Sequence, residues 1–173
     1  MRTDATIARL PVGGVNRRPA TSRIDESVQG VRPIEAWLID EDARRLREHL
    51  DRCDEIANGV YPLLGAFIRA KLADAVIGDP QQVGPDTATG YSLVVYSVDG
   101  LASRSQVLSH WPAPIRGGFG LSTCSLLGAT LLGMKVGQRS LLLRADGTTG
   151  TVELLGIAYR PESLFRQPGG IPA

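Results

Sequence analysis

Cysteine is nearly absent from this chain: Cys53 and Cys124 are the only two. Two cysteines far apart in sequence give neither the paired spacing of a metal site nor a disulfide framework, so no metal and no structural disulfide are expected. A reduced, cytoplasmic setting fits. Long apolar runs are lacking too. The best stretch, Val60 to Ile77, is interrupted by Arg69, Lys71 and Asp74, which excludes a membrane span there. The opening stretch, Met1 to Pro11, has no long apolar core and no small-residue cleavage site, so no secretory signal is read. A strong excess of either charge is also missing, with a formal net charge of +1. No clustered basic face argues for direct nucleic-acid binding, and any such contact is expected to be weak or indirect. What charge there is follows position. Residues 34–80 hold ten acids against six basic residues, between a basic opening segment and a mildly basic closing one.

Within those limits the chain divides by pattern. Residues 1–33 mix Pro, Gly-Gly and scattered Arg, Thr and Ser without apolar period, and are expected to be a disordered tail. From Ile34 to Pro80 the pattern is helical. Asp40 is a plausible N-cap, and Glu41 and Asp42 suit the positive end of a helix dipole. Ala43, Leu46, Leu50 and Cys53 form a seam, with Arg44, Arg45, Arg47 and Glu48 outward. Asn58-Gly59 breaks the pattern. A second stripe then runs from Val60 through Leu63, Leu64, Phe67, Ile68, Leu72 and Ala75 to Val76, with Pro62 in its first turn. Residues 34–80 are therefore expected to form a short antiparallel helical hairpin. Gln81 to Gly90 reads as a linker. Beyond it come β-rich Tyr91–Tyr96, a turn at Asp99-Gly100, and a weakly alternating Arg104–Trp111. A short helix over Ser125–Met134 follows, capped by Thr123 or Ser122, and then Ser140–Arg144 and Thr151–Tyr159 as strands joined around Asp146-Gly147. The fold class expected is α+β, a helical hairpin followed by one helix on a mostly antiparallel sheet. The closing residues 164–173 are Pro- and Gly-rich and expected to be loose.

The segment Ser122–Pro161 resembles the C-terminal domain of the Gre transcription elongation factors (GreA/GreB) and of the regulator of nucleoside diphosphate kinase, Rnk. It carries a Ser-rich turn, then Gly128, Leu131-Leu132-Gly133 and Val136-Gly137, then a closing strand with Ile157 and Tyr159. Residues 88–163 carry the resemblance well, and residues 36–80 carry it by architecture. The short arm and the ending Tyr159-Arg160-Pro161-Glu162 are nearer the Rnk branch. Gln138 stands where that pattern has an acid, Leu126 where it has Pro or a small apolar residue, and the Gre tip signature Asp-x-x-Glu-Asn-x-Glu-Tyr is missing. The resemblance implies an FKBP-like domain in a cytoplasmic bacterial protein. It implies a regulator that acts by binding RNA polymerase, with no catalytic residue and no cofactor of its own. The domain would dock at the rim of the secondary channel through Ser122, Thr123, Cys124, Ser125 and Leu126, with the hairpin pointing inward.

Candidate chemistry is sparse. The hairpin end offers Asp51, Asp54 and Glu55, and clustered carboxylates can hold a hard cation and orient water. The alternative is solvated acids near a helix end. A first helix of about fourteen residues spans only roughly 21 Å, a short reach. His49 and His110 lack an evident nucleophile partner, so a Ser/His/Asp arrangement is not expected. Cys124 near a helix start has thiolate potential, against ordinary packing. Gly117-Gly118-Phe119-Gly120 has neither a preceding strand nor a following Lys-Ser/Thr and is no phosphate loop. Trp37, Tyr61 and Phe67 read as packing residues, and Trp111, Phe119 and Leu126 as either core or docking patch. Two other readings stay open: a peptidyl-prolyl isomerase, which would need an aromatic-lined pocket, and an interaction module for a non-polymerase partner such as a kinase.

Overall fold

A computed structural model of the chain describes residues 35–56, 58–111 and 120–161. The expected tail over 1–33, the loose end over 164–173, and Gly117, Gly118 and Phe119 lie outside the described residues. Strand β1 (Trp37–Ile39) leads into helix α1 (Asp40–Ile56). After the turn at Gly59, with φ +60, come helix α2 (Tyr61–Asp74) and strand β2 (Val76–Gly78). The seam is as read from the sequence: Ala43, Leu46 and Cys53 are buried and Leu50 packs beside them. Pro62 sits in the first turn of α2. No helix among the described residues is long and apolar enough to cross a membrane.

Three features of the arm differ from expectation. Helix α1 is longer, at 17 residues. Helix α2 stops at Asp74, so Ala75 and Val76 are not helical: Ala75 is extended, its N–H donating to the Lys71 carbonyl. The cause is a parallel pairing of β2 with β1, in the register Trp37↔Val76, Leu38↔Ile77, Ile39↔Gly78. Residues as short of polar partners as Val76 and Ile77 satisfy their backbone in a ladder rather than in a fraying helix end. This pair closes both ends of the hairpin at its base, and the Trp37 N–H, donating to the Gly133 carbonyl at 3.1 Å, ties that base to the rest of the molecule.

The second part is a five-stranded sheet in the order β5-β4-β3-β7-β6, with β3 (Leu93–Val98), β4 (Arg104–Ser109), β5 (Gly120–Ser122), β6 (Arg139–Leu143) and β7 (Thr149–Tyr159). All pairings are antiparallel except β4 with β5. Helix α3 (Leu126–Leu131) connects β5 to β6. The α+β class is therefore observed. The expected linker 81–90 is not a free crossover: Val83, Thr87, Ala88, Thr89 and Gly90 are buried. Ala88 exchanges backbone hydrogen bonds with the turn after α3, donating to Met134 and accepting from Gly133. Leu38, Leu46, Leu64 and Ile68 of the arm join Val94, Tyr96, Leu131 and Leu154 of the sheet and its helix in one apolar cluster.

Helix α3 is shorter than expected, and its cap is neither Thr123 nor Ser122 but Ser125, whose hydroxyl accepts from the Gly128 N–H at 3.1 Å. The glycine at 128 has a steric cause. A Cβ there would stand 2.1 Å from the Ser122 carbonyl oxygen and 2.7 Å from its carbon. Backbone cannot yield as a side chain can, so only glycine lets the Ser-rich turn fold back on α3. Gly128→Ala is expected to destabilise the protein by roughly 2–4 kcal/mol, the range of core overpacking with lost local structure. Gly156→Ala, with nothing within 4 Å of the added Cβ, should stay within about 0.5 kcal/mol of the parent. Urea unfolding monitored by circular dichroism separates the two.

Candidate functional site

The hairpin end presents Asp51, Asp54 and Glu55, all exposed on the last turns of α1. They do not act as one cluster. Asp54 accepts from Arg69 Nη2 of α2 at 3.1 Å on both carboxylate oxygens. No group of three or more His, Cys, Asp or Glu among the described residues is placed to hold a metal ion. At about 1.5 Å per residue the 17 residues of α1 give an arm of roughly 26 Å.

The Ser-rich turn is built around its own hydroxyls. Ser122 Oγ accepts from the Cys124 N–H at 3.1 Å, and Ser125 Oγ donates to the Ser122 carbonyl at 2.6 Å while capping α3. Ser122, Cys124 and Ser125 are half-buried, whereas Thr123 and Leu126 are buried, Leu126 as part of the core. Of the loop aromatics, Trp111 is 38% exposed. Its ring lies under the Arg45 and Arg52 guanidinium groups of α1, at 5.4 and 5.6 Å.

Between arm and sheet lies a polar cluster that sequence reasoning missed. Asp42 and His49 of α1 meet Gly90, His110 and Thr123 of the second part, and Asp42, His49, His110 and Thr123 are each no more than 1% exposed. Asp42 accepts from the Gly90 N–H, 3.1 Å from each oxygen, and lies 2.9 Å from His110 Nε2. His110 Nδ1 is 2.9 Å from Thr123 Oγ1, which is 3.2 Å from His49 Nε2. One assignment of protons satisfies these contacts and leaves only the longer approach of Thr123 Oγ1 to the Ser109 carbonyl, at 3.4 Å, without a proton. His110 Nε2–H donates to the Asp42 carboxylate, and its bare Nδ1 accepts from the Thr123 hydroxyl. That hydroxyl oxygen in turn accepts from His49 Nε2–H. Tyr91, held at φ +63, packs edge-on against His110, and Trp111 packs edge-on against His49. The order Asp–His–Thr has the sequence of partners found in a nucleophilic triad. Its hydroxyl is fully buried, however, so no substrate reaches it, and the cluster works as a polar latch. A signal for it exists in the sequence: residues 42, 46, 49 and 53 fall at i, i+4, i+7 and i+11, so Asp42 and His49 share the buried stripe with Leu46 and Cys53.

A second buried polar contact reinforces the latch. Lys71 of α2 is 3% exposed and donates from Nζ to the Ala129 and Thr130 carbonyls at 2.7 and 3.1 Å. These belong to the last turn of α3, where carbonyls lack helical partners. Burial pushes the Lys71 amine down to about 7, with Asp42 pulling it back. Either protonation state has at least two N–H donors for the two carbonyls.

No family model matches the chain, and no curated protein compared with it matches either. Solved structures do. A prokaryotic transcription elongation factor GreA/GreB from Nitrosomonas europaea superposes with a TM-score of 0.53 at 24% identity, covering 72% of this chain and 100% of that one. GreA factor homolog 1 (Gfh1) of Thermus thermophilus aligns at 18% identity and a TM-score of 0.35, over 73% of this chain and 100% of that one. Gfh1 of Thermus aquaticus aligns at 19% identity and a TM-score of 0.35, over 71% and 97%. The likeness to the GreA/GreB structure is one of fold: a two-helix arm followed by a sheet with one helix.

Burial pushes His49 down to about 4, with His110, Arg52 and Arg45 lowering it further and Glu48 opposing. An unfolded histidine near 6.5 takes up a proton that the folded one refuses until about pH 4, so stability is lost as pH falls through that window. Between pH 7 and pH 5 the loss should be about 2 kcal/mol. His49→Gln, which keeps a donor for Thr123, should flatten that slope in urea titrations at the two pH values. Asp42→Ala leaves buried His110 and the Gly90 N–H without their acceptor, and should cost about 3 kcal/mol or more at pH 7.

Proposed function

We propose that this chain is an RNA polymerase-binding transcription regulator that docks at the secondary channel without stimulating transcript cleavage, and that it is not an enzyme. The observation that carries the reading is the order of its parts, in a fold that aligns with the full length of a GreA/GreB elongation factor chain. The closing Tyr159-Arg160 and the short arm favour the Rnk-like branch within that fold. Arg160 is buried and donates from Nη1 to the Val83 and Gly84 carbonyls, so this ending braces the segment below the arm. Docking falls on the Ser-rich turn. Ser122, Cys124 and Ser125 are its accessible members, and Thr123 and Leu126 hold it from beneath.

Cleavage stimulation needs carboxylates held rigidly at the polymerase's catalytic metal. Here Asp54 is already engaged by Arg69, and Asp51 and Glu55 stand on an arm of roughly 26 Å. An acidic tip of this kind can still crowd the channel and repel other acidic factors, an effect that weakens with salt. The isomerase alternative calls for an apolar, aromatic-lined pocket; the cavity of about 290 Å³ on the sheet, lined by Ser97, Asp99, Arg139, Thr151 and Glu153 among others, is not such a pocket.

Backtracked elongation complexes test the mechanism. Alone, the protein should leave the transcript intact; with an added cleavage factor it should slow shortening, and more so at low salt. Transcript shortening by the protein alone, abolished by Asp54→Ala with Glu55→Ala, would contradict the reading.

A further inference from the structure

Asn58 precedes Gly59 in the turn at the end of the arm, after α1 stops at Ile56 and before α2 begins at Tyr61. Both residues are exposed. Gly59 sits at φ +60, and a Cβ built there would meet nothing within 4 Å. The Tyr61 N–H donates to the Asn58 carbonyl at 3.2 Å. Among the described residues, neither the Asn58 carboxamide nor the Gly59 N–H has a hydrogen-bond partner. The side-chain carbonyl carbon of an asparagine and the next backbone nitrogen are close enough along the chain to close a five-membered ring. In a helix or strand they do not react, because the main chain between them cannot rotate and the N–H is already engaged. Here the N–H is unengaged, and glycine on its far side leaves the approach unhindered and the backbone free to turn.

We propose that Asn58 is a self-modification site, which converts to aspartate and isoaspartate and so adds a negative charge to the tip of the arm. In the first step the Gly59 nitrogen attacks the side-chain carbonyl carbon of Asn58. A nitrogen–carbon bond forms and the bond to the side-chain nitrogen breaks. That nitrogen leaves as ammonia, carrying the proton given up by the Gly59 N–H, and a cyclic imide remains. In the second step water adds to one of the two ring carbonyl carbons, and the bond from that carbon to the ring nitrogen breaks. Opening at the side-chain carbonyl carbon gives aspartate with the chain linked as before, and the new acid on the side chain. Opening at the main-chain carbonyl carbon gives isoaspartate, in which the chain runs on through the former side chain and gains one main-chain carbon. Overall one water is consumed and one ammonia released. The new carboxylate joins exposed Asp51, Asp54 and Glu55 at the end of the arm. The isoaspartate form also lengthens the connection between α1 and α2.

The modification stands apart from the polymerase reading, and its test needs no polymerase. The full chain is kept in warm, mildly alkaline buffer, sampled over days, digested, and mapped by mass spectrometry. The peptide containing residue 58 should grow heavier by the difference between an amide and an acid, and should separate into two forms. A protein isoaspartyl methyltransferase should label one of the two. Asn16, the only other asparagine, is followed by Arg17 and should convert more slowly. Conversion at Asn58 in the folded chain should run within about tenfold of its rate in the guanidinium-unfolded chain, as for a segment whose local opening costs little. In Asn58→Gln, where a slower six-membered ring would have to close, the mass should hold and the methyl label should be lost. An Asn58 amide that persists in the folded chain while the unfolded chain converts, conversion of Asn16 ahead of Asn58, or methyl labelling undiminished in Asn58→Gln would each overturn the proposal.

Discussion

The carboxylate of Asp42 is the constraint on which the rest of the structure depends. It is buried at the junction of arm and sheet and accepts from both a backbone N–H and a histidine of the other part. A buried carboxylate is tolerated only where its hydrogen bonds are complete, so the arm has one seating on the sheet. Apolar packing alone would allow it to slide. Leu46 and Ile68 supply area, but area is non-directional. The Asp42–His110–Thr123–His49 chain, together with Lys71 on the α3 carbonyls, converts a greasy contact into a defined angle. The parallel pair β1–β2 does the same at the base, where the arm enters and leaves.

That geometry gives the functional proposal its physical content. A factor that works by reaching into a channel must hold its arm at a set angle to the domain that docks. Here the Ser-rich turn proposed for docking and the arm share residues of one network: Thr123 lies in the turn and bonds to His49 of the arm. Ser125 spends its hydroxyl on the Ser122 carbonyl and the cap of α3, whereas Ser122 Oγ accepts from the Cys124 N–H and keeps its own O–H to donate.

Much of this was legible in the sequence. Helical period over 40–74, turn residues at Asn58-Gly59 and Asp146-Gly147, and alternation in the closing strands carry local information, and the elements they indicate are present. What escaped was non-local. The strand Val76–Gly78 exists because Trp37–Ile39 lies beside it, and no property of Val76 alone announces that. Residues 81–90 have linker composition, yet Ala88 is buried through backbone bonds to the turn after α3. Gly128 could be matched to a family pattern, but the Ser122 carbonyl that forbids a side chain there appears only in three dimensions. The latch left one readable trace, two polar residues on an apolar stripe, which a dipole argument for Asp42 obscured.

The proposed function is binding to RNA polymerase at the secondary channel. Titration of the fluorescently labelled full chain with bacterial core RNA polymerase, followed by competition with an unlabelled Gre cleavage factor, tests it most directly. The account requires saturable binding with a Kd of about micromolar or tighter, and displacement by the competitor. No binding at tens of micromolar polymerase, or binding that an excess of the cleavage factor leaves untouched, would contradict it.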